Sequence, residues 1–288
     1  GSAGGTINYL TTYFGLDGIN ITNNGAGLIF NNLDVNYSQE GVYLNASSSA
    51  VSPTFNNLSI RENTSSHLYL LGNSTMSPTF TGNLTITDTQ GSNGSYGIRT
   101  SASNSATNPI SGFTVTGTDQ ALYLHGSSNT IVQNSVFRQA SSNGVYHISN
   151  GNPIIQNNIV VNNGSNLSTG GGFRITGNGF VLSNLIRDNR SNYGGGINLS
   201  NSSVTIENNL IIENYSNSNG ACCGGSGIYV SGSGNQSIIN NTIVNNTSAD
   251  ILNEGAGVKI EKSSGTLTMT DNIIWGNTDG TSAAADVY

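Results

Sequence analysis

The chain of 288 residues carries eight Lys and Arg against fifteen Asp and Glu, a formal net charge of −7, and holds no basic cluster. That balance argues against nucleic acid as a partner, and no apolar run approaches the ~18 residues that a membrane-spanning helix requires. Only 8% of residues are charged while Gly numbers 38, which excludes helical repeats and leucine-rich horseshoes, whose consensus needs helix formers or Leu at fixed places.

Along the chain, short apolar runs of period two recur, each closed by Asn, Ser or Gly. Such runs predict short strands, and Asn between them predicts corners, because Asn tolerates the left-handed backbone region. The apolar residue that follows each corner falls at Leu33, Leu58, Leu84, Phe113, Val136, Ile159, Leu185, Leu210, Ile243 and Ile273. The gaps run from 23 to 33 residues and average about 27, the signature of a solenoid. Pro53, Pro78, Pro109 and Pro153 occupy one place in four successive repeats, the first position of a strand, where a missing N–H does least harm. The clearest repeat is Gly194 to Asn214, where Ile197–Leu199, Val204–Ile206 and Leu210–Ile212 predict three strands and three corners. The whole chain, residues 1–288, therefore predicts one all-β domain, a parallel coil of ten to eleven turns and a rod on the order of 50 Å long at roughly 4.8 Å per turn.

GGGINLSNSSVTIENNLIIEN, SGIYVSGSGNQSIINNTIVNN and LTMTDNIIWGNT resemble the right-handed parallel β-helix repeats of bacterial and archaeal surface proteins, the class that includes polymorphic outer-membrane and autotransporter-like passengers. The resemblance covers nearly the whole chain. It implies a pectate-lyase-like superfold with stacked asparagines, an extracellular or cell-surface location and a place within a longer exported protein. It leaves activity open, since such repeats carry adhesins, lyases, hydrolases and epimerases.

In a coil of this kind, equivalent residues of successive turns form columns. Aligning the strand typified by Ile197–Leu199, with its first apolar residue inward, puts Tyr43, Tyr69, Arg99, Tyr123, Tyr146, Arg174, Asn198, Tyr229 and Lys259 in one outward column. Five of the 12 Tyr and three of the eight basic residues fall there. By parity, His67 and His125 face the same way. Such a column is either a ladder bracing the sheet or a ligand platform, with rings for sugar C–H faces and cations for hydroxyls or carboxylates. On the second reading, Tyr43, Tyr69, Arg99, Tyr123, Tyr146, Arg174, Tyr229 and Lys259 bind a polysaccharide or cell-surface glycan, and the domain is an adhesin or glycan-binding stalk. The alternative is a polysaccharide lyase with His125, Tyr146 and Arg174 as candidate catalytic groups, because proton removal beside a uronate needs a base and a carboxylate-neutralising cation. The tight motifs of known β-helix enzymes are missing, and the acids are scattered singly rather than paired for hydrolysis. No cofactor or metal is implied.

Three further expectations concern the margins of the fold. The residue after each anchor changes from polar (Asp34, Ser59, Thr85, Thr114) to apolar (Phe137, Val160, Ile186, Ile211, Val244, Ile274), so either the strand buries both residues or the second half exposes an apolar stripe. Cys222 and Cys223 are adjacent in a Gly-rich insertion and form either two thiols or one strained bridge. Ile7–Leu10 is read as a cap, and Asp286–Tyr288 as a strand cut short, which predicts weak end-to-end self-association.

Overall fold

A computed structural model describes residues 4–22, 27–72, 76–90, 94–102, 109–217, 224–249 and 255–287. Among them there are strands, turns and bends but no helix. The strands stack in parallel into sheets of eleven, ten, seven and three members. The eleven-stranded sheet runs from Gly5–Tyr13 to Ile273–Trp275, and the ten-stranded sheet from Asp17–Thr22 to Val258–Lys262. The seven-stranded sheet spans Ile110–Ser111 to Leu267–Thr270, and a short sheet joins Arg190–Ser191, Tyr215–Ser216 and Thr247–Ser248. The all-β parallel solenoid is as the repeats predict. Its turns number about eight, slightly below the expected ten to eleven. The sequence count marks every anchor, but separate strands form the third face only from Ile110 onward, and earlier coils run two faces in one strand, as in Leu28–Asn36.

Two corners flank the eleven-stranded sheet, and both are built on left-handed residues. Asn32, Asn57, Asn134, Asn157, Asn208 and Asn240 open it, and Gln139, Asn162, Asp188, Glu213 and Asn245 close it, with φ between 51° and 60°. Each such residue reverses the chain, so the next one points inward. In the second half that inward residue is Asn at both corners. Asn158, Asn184, Asn209, Asn241 and Asn272 form one ladder, and Asn163, Asn189, Asn214, Asn246 and Asn277 the other. Each side-chain oxygen accepts from the backbone N–H and the Nδ2 of the Asn one turn before, and each Nδ2 also donates to a strand carbonyl, as Asn214 does to Ile186 at 3.0 Å. The buried amides are thus satisfied, each bond contributing about 1 kcal/mol.

The first half fills the opening corner differently. Leu33, Leu58, Leu84 and Phe113 stand where Asn stands later, all at most 3% exposed; Phe30, Phe55 and Phe80 stack behind them at 5.1 and 5.5 Å, and Phe80 meets Phe113 edge-on at 5.0 Å. The four prolines each precede a strand, at Thr54, Thr79, Ile110 and Ile154, as expected. Gly recurs just before the ten-stranded sheet for a steric reason. A Cβ at Gly196 would lie 2.6 Å from the carbonyl oxygen of Gly227, and one at Gly227 would lie 2.4 Å from that of Gly257. The core is one continuous apolar column, with Ile98, Leu122, Val145, Ile197, Ile206, Ile228 and Val258 at or near zero exposure.

Candidate functional site

The outward column of the ten-stranded sheet is in register throughout. Tyr43 pairs with Tyr69, Tyr69 with Arg99, Arg99 with Tyr123, Tyr123 with Tyr146, Tyr146 with Arg174 and Arg174 with Asn198. Tyr229 and Lys259 continue it. The inward partners, such as Leu122 and Leu124 on either side of Tyr123, are fully buried, so period-two pleating forces the column outward.

The column divides into two parts. From Tyr43 to Arg174 every member is half-buried. Tyr43 and Tyr69 have ring centroids 5.3 Å apart, as do Tyr123 and Tyr146. The Arg99 guanidinium lies 4.5 Å from the Tyr69 ring centroid and 5.1 Å from that of Tyr96, and Arg174 lies 4.7 Å from that of Tyr146. These are cation–π distances. Arg99 Nε is buried with no hydrogen-bond partner among the described residues. Burial pushes the Tyr43 and Tyr123 phenols upward, and neighbouring tyrosines add to that shift. The phenols stay protonated donors at neutral pH.

Beyond Arg174 the column is covered. Asn198 is 6% exposed, Tyr229 7% and Lys259 1%. Asn198 Nδ2 donates to the Tyr193 carbonyl at 3.4 Å, and the Tyr193 ring sits 5.6 Å from Tyr229. Lys259 Nζ pairs with Glu261 at 3.0 Å, and the Tyr229 hydroxyl donates to the same carboxylate. Hydrogen bonds from Tyr229 and Lys259 hold the Glu261 carboxyl below its usual range, against the upward push of burial.

His125 is exposed at the end of Gln120–His125, 5.8 Å from the Tyr123 ring, with Nδ1 3.3 Å from Ser101 Oγ. His67 is a correction, because it is fully buried instead of outward. Register puts it, between Ser66 and Leu68, at the corner place that Gly97 takes in the next turn. The chain bends there and parity fails. His67 accepts from the Asn63 N–H on Nε2 at 3.3 Å and donates from Nδ1 to the Tyr96 carbonyl at 3.1 Å. His147 is likewise buried, in the inward column between Leu124 and Ile175.

Sequence reasoning did not see Tyr96. It sits three residues before Arg99, yet its ring stacks on Tyr123 at 4.8 Å and 18°. Glu40 occupies the same strand position two turns earlier. Burial raises its carboxyl, opposed by the hydrogen bond from Ser65 Oγ at 3.0 Å and by the Arg99 charge.

The second column is also a correction. Phe137, Val160, Ile186 and Ile211 are buried, whereas Ile159, Leu210 and Ile273 face out at 41%, 39% and 61% exposure. Pairing shows why, since Thr114 aligns with Val136 and Leu210 with Thr242, so the apolar residue after the corner slips by one place where Asn takes the inward position. The anchors Ile159, Leu210 and Ile273, with the half-buried Val136 and Leu185, therefore form an outward apolar stripe on the eleven-stranded sheet, interrupted at Thr242, whose neighbouring anchor Ile243 is buried.

That sheet also holds an open concavity of about 800 Å³ at its closing corner, lined by Arg138, Arg187, Asp188, Arg190, Glu213 and Tyr215 among others. Asp188 and Glu213 are the left-handed residues of consecutive turns. Acids far apart in sequence are thus adjacent in space. The period alone could have brought them together. Among the described residues no cluster of three or more His, Cys, Asp or Glu could hold a metal ion. Cys222 and Cys223 lie outside the described residues.

With the coil and its columns in place, a family model for the right-handed beta helix region matches residues 17–182 and 121–286. The chain belongs to the right-handed β-helix family. Neither the curated proteins nor the solved structures contain a match to it. Membership in the β-helix family carries the fold alone, because function in such folds is grafted onto their surfaces.

Proposed function

We propose that this β-helix is a cell-surface or extracellular adhesin or glycan-binding stalk that holds an extended polysaccharide along Tyr43, Tyr69, Arg99, Tyr123, Tyr146 and Arg174. The observation that carries this reading is the half-exposed, in-register ladder in which each guanidinium follows a pair of phenols, twice over six turns. Its hydroxyls and N–H groups repeat at the spacing of the turns, about 4.8 Å, so an extended sugar chain meets equivalent donors along its length. Tyr229, packed against Tyr193, and Lys259, buried and paired with Glu261, brace the sheet under this reading instead of touching the ligand.

The test replaces Tyr123 and Tyr146 together with Ala and measures binding to a panel of neutral and acidic polysaccharides alongside thermal unfolding. Binding should weaken strongly, each ring contributing on the order of 1 kcal/mol, with little change in stability. A variant that unfolds more easily while binding as before would reduce the column to a structural ladder. The same mixtures read out the lyase alternative, for which His125 beside Tyr123 is the supporting contact. Lyase action would yield unsaturated, ultraviolet-absorbing product that His125→Ala or Arg174→Ala abolishes.

A further inference from the structure

We propose that the concavity at the closing corner of the eleven-stranded sheet is a second binding site, separate from the Tyr/Arg ladder, and that it takes a segment of acidic polysaccharide. Three of the chain's eight basic residues, Arg138, Arg187 and Arg190, line it, in a molecule whose net charge is −7. Their surroundings leave charge unspent. Among the described residues Arg138 is anchored through Nε, which donates to Thr116 Oγ1 at 3.0 Å. Arg190 Nε donates to Asn166 Oδ1, and its guanidinium lies 4.4 Å from the Tyr215 ring centroid. Neither has an ion pair among the described residues, so the Nη groups of both are open to a carboxylate, the partner whose geometry fits a guanidinium fork. Only Arg187 is neutralised, by Asp188 at 2.8 Å.

Size and spacing narrow the ligand. About 800 Å³ is far more than one inorganic anion fills and lies within the range of sites for small organic ligands. Arg138 pairs with Val161 and Val161 with Arg187, on the turn that also carries Arg190, so the free guanidinia of Arg138 and Arg190 are borne two turns apart, about 9.6 Å along the rod at the usual strand spacing. That is the scale on which charges recur along an extended chain whose acid sugars alternate with neutral ones. Tyr215 supplies an apolar ring for a sugar face, and the Asp188 and Glu213 carboxylates and corner amides such as Asn162 supply acceptors and donors for hydroxyls. The carboxylates also repel a chain that carries acid on every substituent, which gives the site a reason to prefer a mixed sugar sequence.

The experiment is calorimetric titration of the full chain with a hyaluronan octasaccharide, an oligogalacturonate of similar length and neutral chito-oligosaccharide, for wild type, Arg138→Gln/Arg190→Gln and Arg61→Gln. The expected result is binding of the hyaluronan octasaccharide, more tightly than the oligogalacturonate and without binding of the neutral oligomer, weakened about tenfold or more by the double variant and by raised salt, as for exposed charge pairs; tighter binding of the oligogalacturonate overturns the preference for a mixed sequence. Arg61→Gln, which removes a distant surface pair with Asp34, should change nothing. Thermal unfolding verifies that the double variant folds; if it does not, Arg138→Gln alone is titrated, and it must weaken binding. Absence of binding by either acidic oligomer, equal binding of the neutral one, or indifference to Arg138 and Arg190 overturns the proposal. Tyr123→Ala/Tyr146→Ala should leave this binding intact, so the failure of one site is separable from the failure of the other.

Discussion

Asp286 Oδ1 accepts hydrogen bonds from both the backbone N–H and the Nδ2 of Asn277, at 3.1 and 2.9 Å. These are the contacts each Asn of the closing ladder makes with the next, with a carboxylate in place of the amide, so Asp286 terminates the ladder. The segment expected to be a strand cut short follows a reversal in which Thr278 bridges antiparallel to Ala284, and it then adds a short parallel rung to the ten-stranded sheet, while Tyr288 lies outside the described residues. Ala285 N–H donates to the Asn277 carbonyl at 2.8 Å, and Val287 bridges to Val258.

Asp286→Asn keeps the accepting oxygen and should cost little, whereas Asp286→Leu removes it and leaves two donors of Asn277 unpaired. A loss of about 1–3 kcal/mol is expected in urea unfolding for the Leu variant. Equal stability of the two variants would remove Asp286 from the ladder.

A deeper break in the same ladder should cost more. Asn214→Leu deprives Asn189 of its acceptor for two bonds and the Ile186 carbonyl of a donor, with an expected loss of about 3 kcal/mol or more. Chemical denaturation at constant m-value measures it. A loss within a few tenths of a kcal/mol would show that water enters the corner and replaces the amide.

Two core substitutions compare the halves. Ile206, fully buried on Ser203–Glu207, has only apolar side chains for turn-to-turn neighbours in Val181 and Ile238, so Ile206→Asp should destabilise by several kcal/mol, roughly the cost of burying an unpaired charge. Phe55, stacked on Phe30 and Phe80 within 13° of parallel, should cost about 3–5 kcal/mol on replacement by Ala. Circular dichroism of both variants should keep the strand signature, with midpoints lowered.

Stability should also fall as the pH drops from 7 to 5. Burial holds His67 and His147 below the ordinary 6.5, and each accepts a backbone N–H on one ring nitrogen, a bond that protonation would abolish. The unfolded chain binds those protons below about 6.5 while the folded chain does not, so each histidine removes up to about 1.4 kcal/mol per pH unit. Asp88 and Glu62 face His67 and partly restore its basicity. Glu40, raised by burial, acts in the opposite sense toward the acid end. A flat melting temperature over this range, or one whose slope His67→Gln and His147→Gln leave unchanged, contradicts the assignment.

The sequence by itself determined the period, and the period determined which residues stack. Tyr43, Tyr69, Arg99, Tyr123, Tyr146 and Arg174 were legible as a column because parallel strands repeat in register and pleating alternates faces. Asn at most corners was legible because few side chains tolerate positive φ, although Gln139, Ser183, Asp188 and Glu213 take the same conformation. Tertiary structure alone decided what covers a column and which way a corner residue points. Lys259 and His67 are buried because a neighbouring chain segment or a bend removes them from water, neither of which alternation encodes. The anchors slipped by one place after Phe113 because Leu and Asn can each fill the inward corner, one by apolar packing and the other by a closed hydrogen-bond ladder. Arg138, Arg187 and Arg190 come together for the same reason as Asp188 and Glu213. Residues of neighbouring turns lie about 4.8 Å apart in space whatever their distance along the chain.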